Sequence, residues 1–181
     1  MAPATAYDAK GLLKAAIRDD NPVIYFENKY LYRRAKGPVP EGNDIVPLGV
    51  AAVRRPGTDI TLVTYGAMVQ PSLEAADMLA KDGVEVEVID LRTLMPFDKD
   101  ALFVSIEKTS RLLIVHEDVK TLGLGSELAA VAVEERFDYL DAPVMRVTYP
   151  DTHCAFSQVL EQYNLPDTNK ISEALRRLAA Y

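Results

Sequence analysis

The sequence predicts an α/β domain in which a mainly parallel sheet is covered by helices on both faces, and three observations carry that prediction. Short runs rich in strand formers, DITLVTY, VEVEVID, RLLIVHE and PVMRVTY, recur beyond Ile45. Helical stretches separate them, with apolar stripes at Val69, Leu73, Ala76 and Ala80 and at Ile171, Ala174, Leu175 and Leu178. Helices placed between strands act as crossover connections, which make strands parallel and bury them on both sides, as in doubly wound folds.

Taken in order, YDAKGLLKAAIR predicts a short helix from Asp8, an N-cap type residue, to Arg18, with Leu12, Leu13, Ala16 and Ile17 on one face. Asn21 and Pro22 end it. PVIYFE reads as a buried strand, because Val23, Ile24, Tyr25 and Phe26 form a compact apolar run. From Asn28 to Asp44 the composition changes to Lys29, Arg33, Arg34 and Lys36 followed by Gly37, Pro38, Pro40 and Gly42, which predicts an extended linker and a boundary. VPLGVAAVRR then supplies an edge strand, with Gly57 at the turn that follows it. No internal repeat or low-complexity tract interrupts the pattern.

Composition bounds the function. A chain of 181 residues, 49% hydrophobic and 26% charged, can bury one ordinary core with an appendage. Lys and Arg number 20 against 27 Asp and Glu, so the net charge of -7 repels polyanions and excludes a nucleic-acid role. No stretch reaches the roughly 20 apolar residues that cross a bilayer, and MAPATAYDAKGLL lacks a basic region ahead of an apolar run. The expectation is a soluble, cytoplasmic chain without a membrane role. Cys154 is the single cysteine, which excludes an internal disulfide and a multi-cysteine zinc site.

In open parallel sheets ligands sit beyond the carboxyl ends of the strands, and chemistry is sought there first. Tyr65, Gly66, Ala67 and Met68 place a turn ahead of a helix N-terminus, an arrangement able to cradle an anion or serve only as a turn. Neither GxGxxG nor GxxxxGK[ST] occurs, so no phosphate-binding fingerprint supports it. Asp90, at the end of a second strand, occupies the place of a ribose-binding carboxylate; the alternative is that Asp90 and Arg92 bond loop backbone while Leu91 and Leu94 pack below. His116 ends an apolar strand and is followed by Gly123, Gly125 and Glu127. It is a candidate accessory acid or base at the crevice mouth, or a structural histidine bonded to a loop carbonyl. His153 lies too far along the chain to form a metal motif with it. His153 and Cys154 are adjacent, point apart in extended structure and read as loop rather than as a nucleophile pair.

A resemblance adds what composition does not. VIYFENKYLYR is similar to the VxFFEPKxLYR-type segment that closes the pyrimidine-binding domain in beta subunits of thiamine-diphosphate-dependent 2-oxo acid dehydrogenases. It matches at Phe26, Glu27, Lys29, Leu31, Tyr32 and Arg33, while Asn28 replaces the usual proline. VPLGVAAVRRPGTDITLVTYGAMV, EVIDLRTLMPFD, HEDVKTLGLGSELAA, FDYLDAPVMRVTYPDTHCAFS and LPDTNKISEALRRL resemble the carboxy-terminal domain of the same family in the same order, with Ala155 where relatives often carry proline. The resemblance covers essentially the whole chain.

It implies a three-layer α/β/α domain of the transketolase C-terminal type, with a five-stranded mixed sheet whose first strand is antiparallel. Residues 1–27 would then be the last helix and strand of a pyrimidine-binding domain, 28–44 a linker and 45–181 the carboxy-terminal domain. It implies partners too: an alpha subunit, a second copy through the carboxy-terminal domain, and the subunit-binding domain of an acyltransferase core. In the family, thiamine diphosphate and magnesium lie between two chains, held by a Gly-Asp-Gly motif of the alpha subunit and activated by a glutamate of the beta amino-terminal domain. This chain has no Gly-Asp-Gly, and Ala2 to Glu27 resembles only the end of the pyrimidine domain, so no cofactor- or metal-binding residue carries over. Such a chain is expected to bind no coenzyme and to be inactive alone. Asp167, Glu173 and the Tyr181 carboxylate are candidates for docking a basic partner, or a solvated helix end. The competing function classes are a free-standing nucleotide-binding module, hinted at by Asp90, and a purely structural dimerisation domain.

Overall fold

A strand sends alternate side chains to opposite faces, so a continuous apolar run is stable only where both faces are covered. The computed structural model, which describes residues 1–181, meets that condition. Its sheet contains β1 (Ala52–Arg55), β2 (Ile60–Thr64), β3 (Val86–Asp90), β4 (Leu112–Val119) and β5 (Met145–Tyr149) in the order β1-β3-β2-β4-β5. β1 runs antiparallel to β3, and the remaining pairs are parallel, as the resemblance implied. Gly57 sits in the turn after β1, where a Cβ would strike the backbone of Val86 and Glu87; close approach requires the glycine there.

The two faces sort by alternation. Leu62, Val88 and Leu113 pack against Ala76 and Leu79 of α2 (Val69–Ala80) and Leu175 and Leu178 of α6 (Thr168–Ala179). Val63, Ile89 and Ile114 point the other way, against Leu102 and Ile106 of α3 (Lys99–Thr109) and Leu128 and Val131 of α4 (Leu124–Arg136). Each such side chain contributes about 1.5–3 kcal/mol through burial, which makes these two layers the main stabilising term. The stripe predicted for α6 is wholly buried, and Ser172 completes that face. That of α2 is turned slightly: Val69 and Ala76 are buried, but Ser72, Ala75 and Leu79 complete the face while Leu73 and Ala80 are half-buried. Small residues pack against the sheet here, and a size-weighted stripe overlooks them.

The amino-terminal segment departs further from expectation. α1 spans Ala6–Arg18 and starts at the N-cap Thr5, whose hydroxyl accepts the Asp8 N–H at 3.1 Å while donating to the Asp8 carboxylate. Asp8 is thus the inner half of a reciprocal cap rather than the cap itself. Leu12 is fully buried with Val46 and Met1, and a Cβ on Gly11 would collide with Val46, but Leu13 and Ile17 remain exposed. PVIYFE is not a buried strand. Met1 donates its amino group to Ile24 O at 2.9 Å and accepts the Phe26 N–H at 2.9 Å, and no other chain segment lies beside it as a ladder; Ile24 and Phe26 are exposed. A strand needs a neighbour along its length, and two hydrogen bonds do not supply one. Residues 28–44 contain only a short 3-10 turn (Leu31–Arg33), then run back along α1, where Lys14 donates to Gly42 O at 2.5 Å and Arg18 to Asn43 Oδ1 at 3.0 Å. No helix is long and apolar enough to cross a membrane.

Candidate functional site

Parallel pairing brings the carboxyl ends of β2, β3 and β4 to one side of the sheet, and the three loops singled out in the sequence meet there. Gly66 opens a short 3-10 turn (Gly66–Met68) before α2 with φ +57°, a conformation that favours glycine. The turn is buried: Ala67 and Met68 join the core and Ala2 lies over Gly66. It acts as a turn and not as an open anion cradle.

Asp90 does not reach outward either. Its carboxylate is fully buried and takes Arg54 Nε at 3.1 Å and Nη2 at 2.8 Å from the adjacent β1, and Arg92 N–H at 3.1 Å. Arg54 also pairs with Asp8 of α1, and Arg92 Nη2 stands 2.8 Å from the other Asp8 oxygen. Two buried carboxylates and two guanidinium groups therefore clasp α1 to the sheet. Burial raises the Asp90 pKa, with Arg54 pulling against it. Desolvation works to lower the Arg54 pKa, but Asp90 and Asp8 together outweigh it and raise it. A carboxylate fully buried and held by three donors is not presented to a ribose, so the nucleotide reading loses its one residue. Arg54 and Asp8 carried no sequence pattern that paired them; the only signal was an acidic residue within an apolar helix face.

His116 is likewise fully buried, not at the crevice mouth where its place in the strand put it. Its Nε2 accepts the Gly125 N–H at 3.1 Å, in the first turn of α4. The imidazole thus caps a helix N-terminus, satisfying a donor that the helix itself cannot. This requires the neutral tautomer protonated on Nδ1, which finds no hydrogen bond of proper geometry. Burial lowers the His116 pKa, with the Asp118 charge opposing. The glycines now have a cause. A Cβ on Gly125 would lie 2.5 Å from His116 Nε2, and one on Gly123 2.9 Å from Cε1. What the backbone closes upon is the imidazole.

Around this cap stand Tyr65, stacked on His116 at 6.2 Å between centroids and 14° between planes, and Glu117. Burial pushes the Tyr65 hydroxyl up to about 12, with help from Asp118 and Glu117. Burial also raises the Glu117 pKa, against a 2.9 Å hydrogen bond from Asn28. Asn28, the first residue of the linker, thereby ties the linker to β4. The arrangement orders three loops; burial keeps Tyr65 and Glu117 toward their protonated forms and His116 toward its neutral form. No group of three or more His, Cys, Asp or Glu side chains is positioned to hold a metal, and the glycine loop that faces the crevice is filled by His116.

The docking candidates fall apart in space. Asp167 is the N-cap of α6 and accepts the Lys170 N–H at 2.8 Å; Tyr181 follows the opposite end of that helix, which spans about 18 Å at 1.5 Å per residue. Glu173, between them, lines a groove with Lys120, Arg146, Lys170 and Arg177. His153 and Cys154 lie on the exposed loop after β5 with no catalytic partner.

The family described as "Transketolase, C-terminal domain" matches residues 49–171. The chain is 44% identical over 180 residues to the 2-oxoisovalerate dehydrogenase subunit beta of Bacillus subtilis (strain 168), covering 99% of this chain and 55% of the relative. It is 45% identical over 179 residues to the pyruvate dehydrogenase E1 component subunit beta of the same organism, covering 99% and 55%. It is 47% identical over 169 residues to that organism's acetoin:2,6-dichlorophenolindophenol oxidoreductase subunit beta, covering 93% and 49%. A solved structure titled "Split gene transketolase, inactive beta4 tetramer" superposes with a TM-score of 0.82 at 27% identity, over 99% of this chain and 56% of that one. The chain thus spans about half the length of the relatives it matches. Sheet order, the antiparallel first strand and these matches together place the chain in the transketolase C-terminal domain family, in the branch represented by beta subunits of 2-oxo acid dehydrogenases.

Proposed function

We propose that this chain is the carboxy-terminal part of a beta subunit of a thiamine-diphosphate-dependent 2-oxo acid dehydrogenase, serving subunit assembly and docking on the acyltransferase core. The observation that carries the reading is identity of 44% and 45% to two such beta subunits across nearly the whole chain, beside 47% to an acetoin oxidoreductase subunit beta. In this reading residues 1–27 belong to the end of a pyrimidine-binding domain, 28–44 are the linker and 45–181 the assembly domain. An alpha subunit and a complete pyrimidine domain supply the anchors for thiamine diphosphate and magnesium; the coenzyme provides the carbanion chemistry. This chain's residues contribute order. The Asp8–Arg54–Asp90 clasp and the Asn28–Glu117 bond hold the linker segment against the carboxyl end of the sheet, and His116 fixes the start of α4. Asp167, Glu173 and the Tyr181 carboxylate remain the candidates for meeting a basic acyltransferase module, at separate points along α6. The reading places the protein in the cytoplasm.

A domain exchange tests it. The matching carboxy-terminal part of the Bacillus subtilis pyruvate dehydrogenase beta subunit is replaced by this chain, and the chimera is co-purified with its alpha subunit. The proposal expects a stable complex that oxidises pyruvate and co-sediments with the acyltransferase core. A folded chimera that fails to pair with the alpha subunit refutes the assembly role.

A further inference from the structure

The strand β5 ends the sheet order, and its only ladder partner is β4, so one edge of its backbone is unpaired. Along that edge lies a groove of about 320 Å³ containing Lys120, Arg146, Lys170 and Arg177 with one carboxylate, Glu173, in a chain of net charge -7. We propose that the free edge of β5 receives an extended acidic segment of a partner protein as an added strand.

The placement of the cations favours this occupant. Arg146 donates to Ser126 Oγ of α4 at 2.7 Å and to Lys120 O at 3.1 Å, which fixes it on the α4 face of the sheet beside Lys120. Met145 and Val147 point to the other face, toward α6, where Arg177 stands. The positive charges therefore straddle the strand. An added strand sends alternate side chains to the two faces, so carboxylates at successive positions meet cations on both, while its backbone fills the open ladder. A compact anion such as phosphate cannot reach both sides of a strand at once. A second copy of β5 would bring like charges together. Arg177 and the Lys120 ammonium form no ion pair in the chain and are free to engage; Lys170 is less so, being bonded to Leu165 O at 2.7 Å. Asp151, near Lys120, is already tied to Thr121 by hydrogen bonds of 2.8 and 2.7 Å.

The test uses the 181-residue chain and a fluorescein-labelled octapeptide of alternating Val and Glu, followed by fluorescence anisotropy at low salt. Saturable binding is expected, weakened at least about tenfold by Arg177→Glu or Lys120→Glu, by N-methylation of alternate peptide amides, and by added salt. Both substituted positions are exposed, and circular dichroism confirms that the variants fold. Equal affinity for the N-methylated peptide removes the strand addition. Absence of saturable binding, or full displacement of the peptide by millimolar inorganic phosphate, overturns the proposal, the latter in favour of a small-anion site.

Discussion

Adding one methyl group at Gly125 pits helix propensity against packing. The site is helical, so alanine gains up to about 1 kcal/mol over glycine in backbone terms. The new Cβ, however, would lie 2.5 Å from His116 Nε2, 2.8 Å from Cδ2 and 3.2 Å from Ile114 Cγ2, beneath a fully buried ring. Overpacking of this kind costs about 1–3 kcal/mol, and pushing the imidazole aside forfeits a hydrogen bond worth about 1 kcal/mol. Gly125→Ala is therefore expected to destabilise the chain by about 1–3 kcal/mol in urea titrations followed by circular dichroism. The decisive comparison is the same change in a His116→Ala background. There the ring is gone, and Gly125→Ala should be neutral or stabilising by up to about 1 kcal/mol. Equal costs in both backgrounds would show that the glycine makes room for something other than the imidazole.

Two further outcomes follow from the buried charges. Because burial lowers the His116 pKa from its ordinary 6.5, the unfolded chain takes up the proton before the folded one does. Stability is full above about pH 6.5 and falls as pH drops below it toward the folded-state value; urea midpoints should show this loss in the parent and not in His116→Gln. Arg54→Met leaves Asp8 and Asp90, both fully buried, without their shared cation, and should cost about 3–5 kcal/mol, with limited proteolysis striking residues 1–45 first. A loss below about 1 kcal/mol would mean that the clasp does not hold α1.

Regular structure was legible where burial is two-sided. The runs at β2 and β3 and the first five residues of β4 are buried throughout, and the apolar stripe of α6 keeps a single helical period. PVIYFE shows the limit of that logic: its composition is that of a strand, but strand formation depends on a neighbour that local sequence does not encode. At the carboxyl end of the sheet, the sequence located Gly123, Gly125 and His116 as one unit but set the ring at the crevice mouth, whereas it is fully buried and bonded to the Gly125 N–H. Strand periodicity assigns a face, while depth depends on how tightly the following loop closes. The clasp from Asp8 to Arg54 to Asp90 and the cations around β5 were invisible for another reason. Their members come from separate elements, joined only by the tertiary fold.

In the proposed reading this polypeptide owns no coenzyme site of its own. Isothermal titration of the isolated 181-residue chain with thiamine diphosphate and magnesium is predicted to give no heat of binding, because in the proposed reading those anchors come from an alpha subunit and a complete pyrimidine domain. Saturable micromolar binding by this chain alone would contradict it.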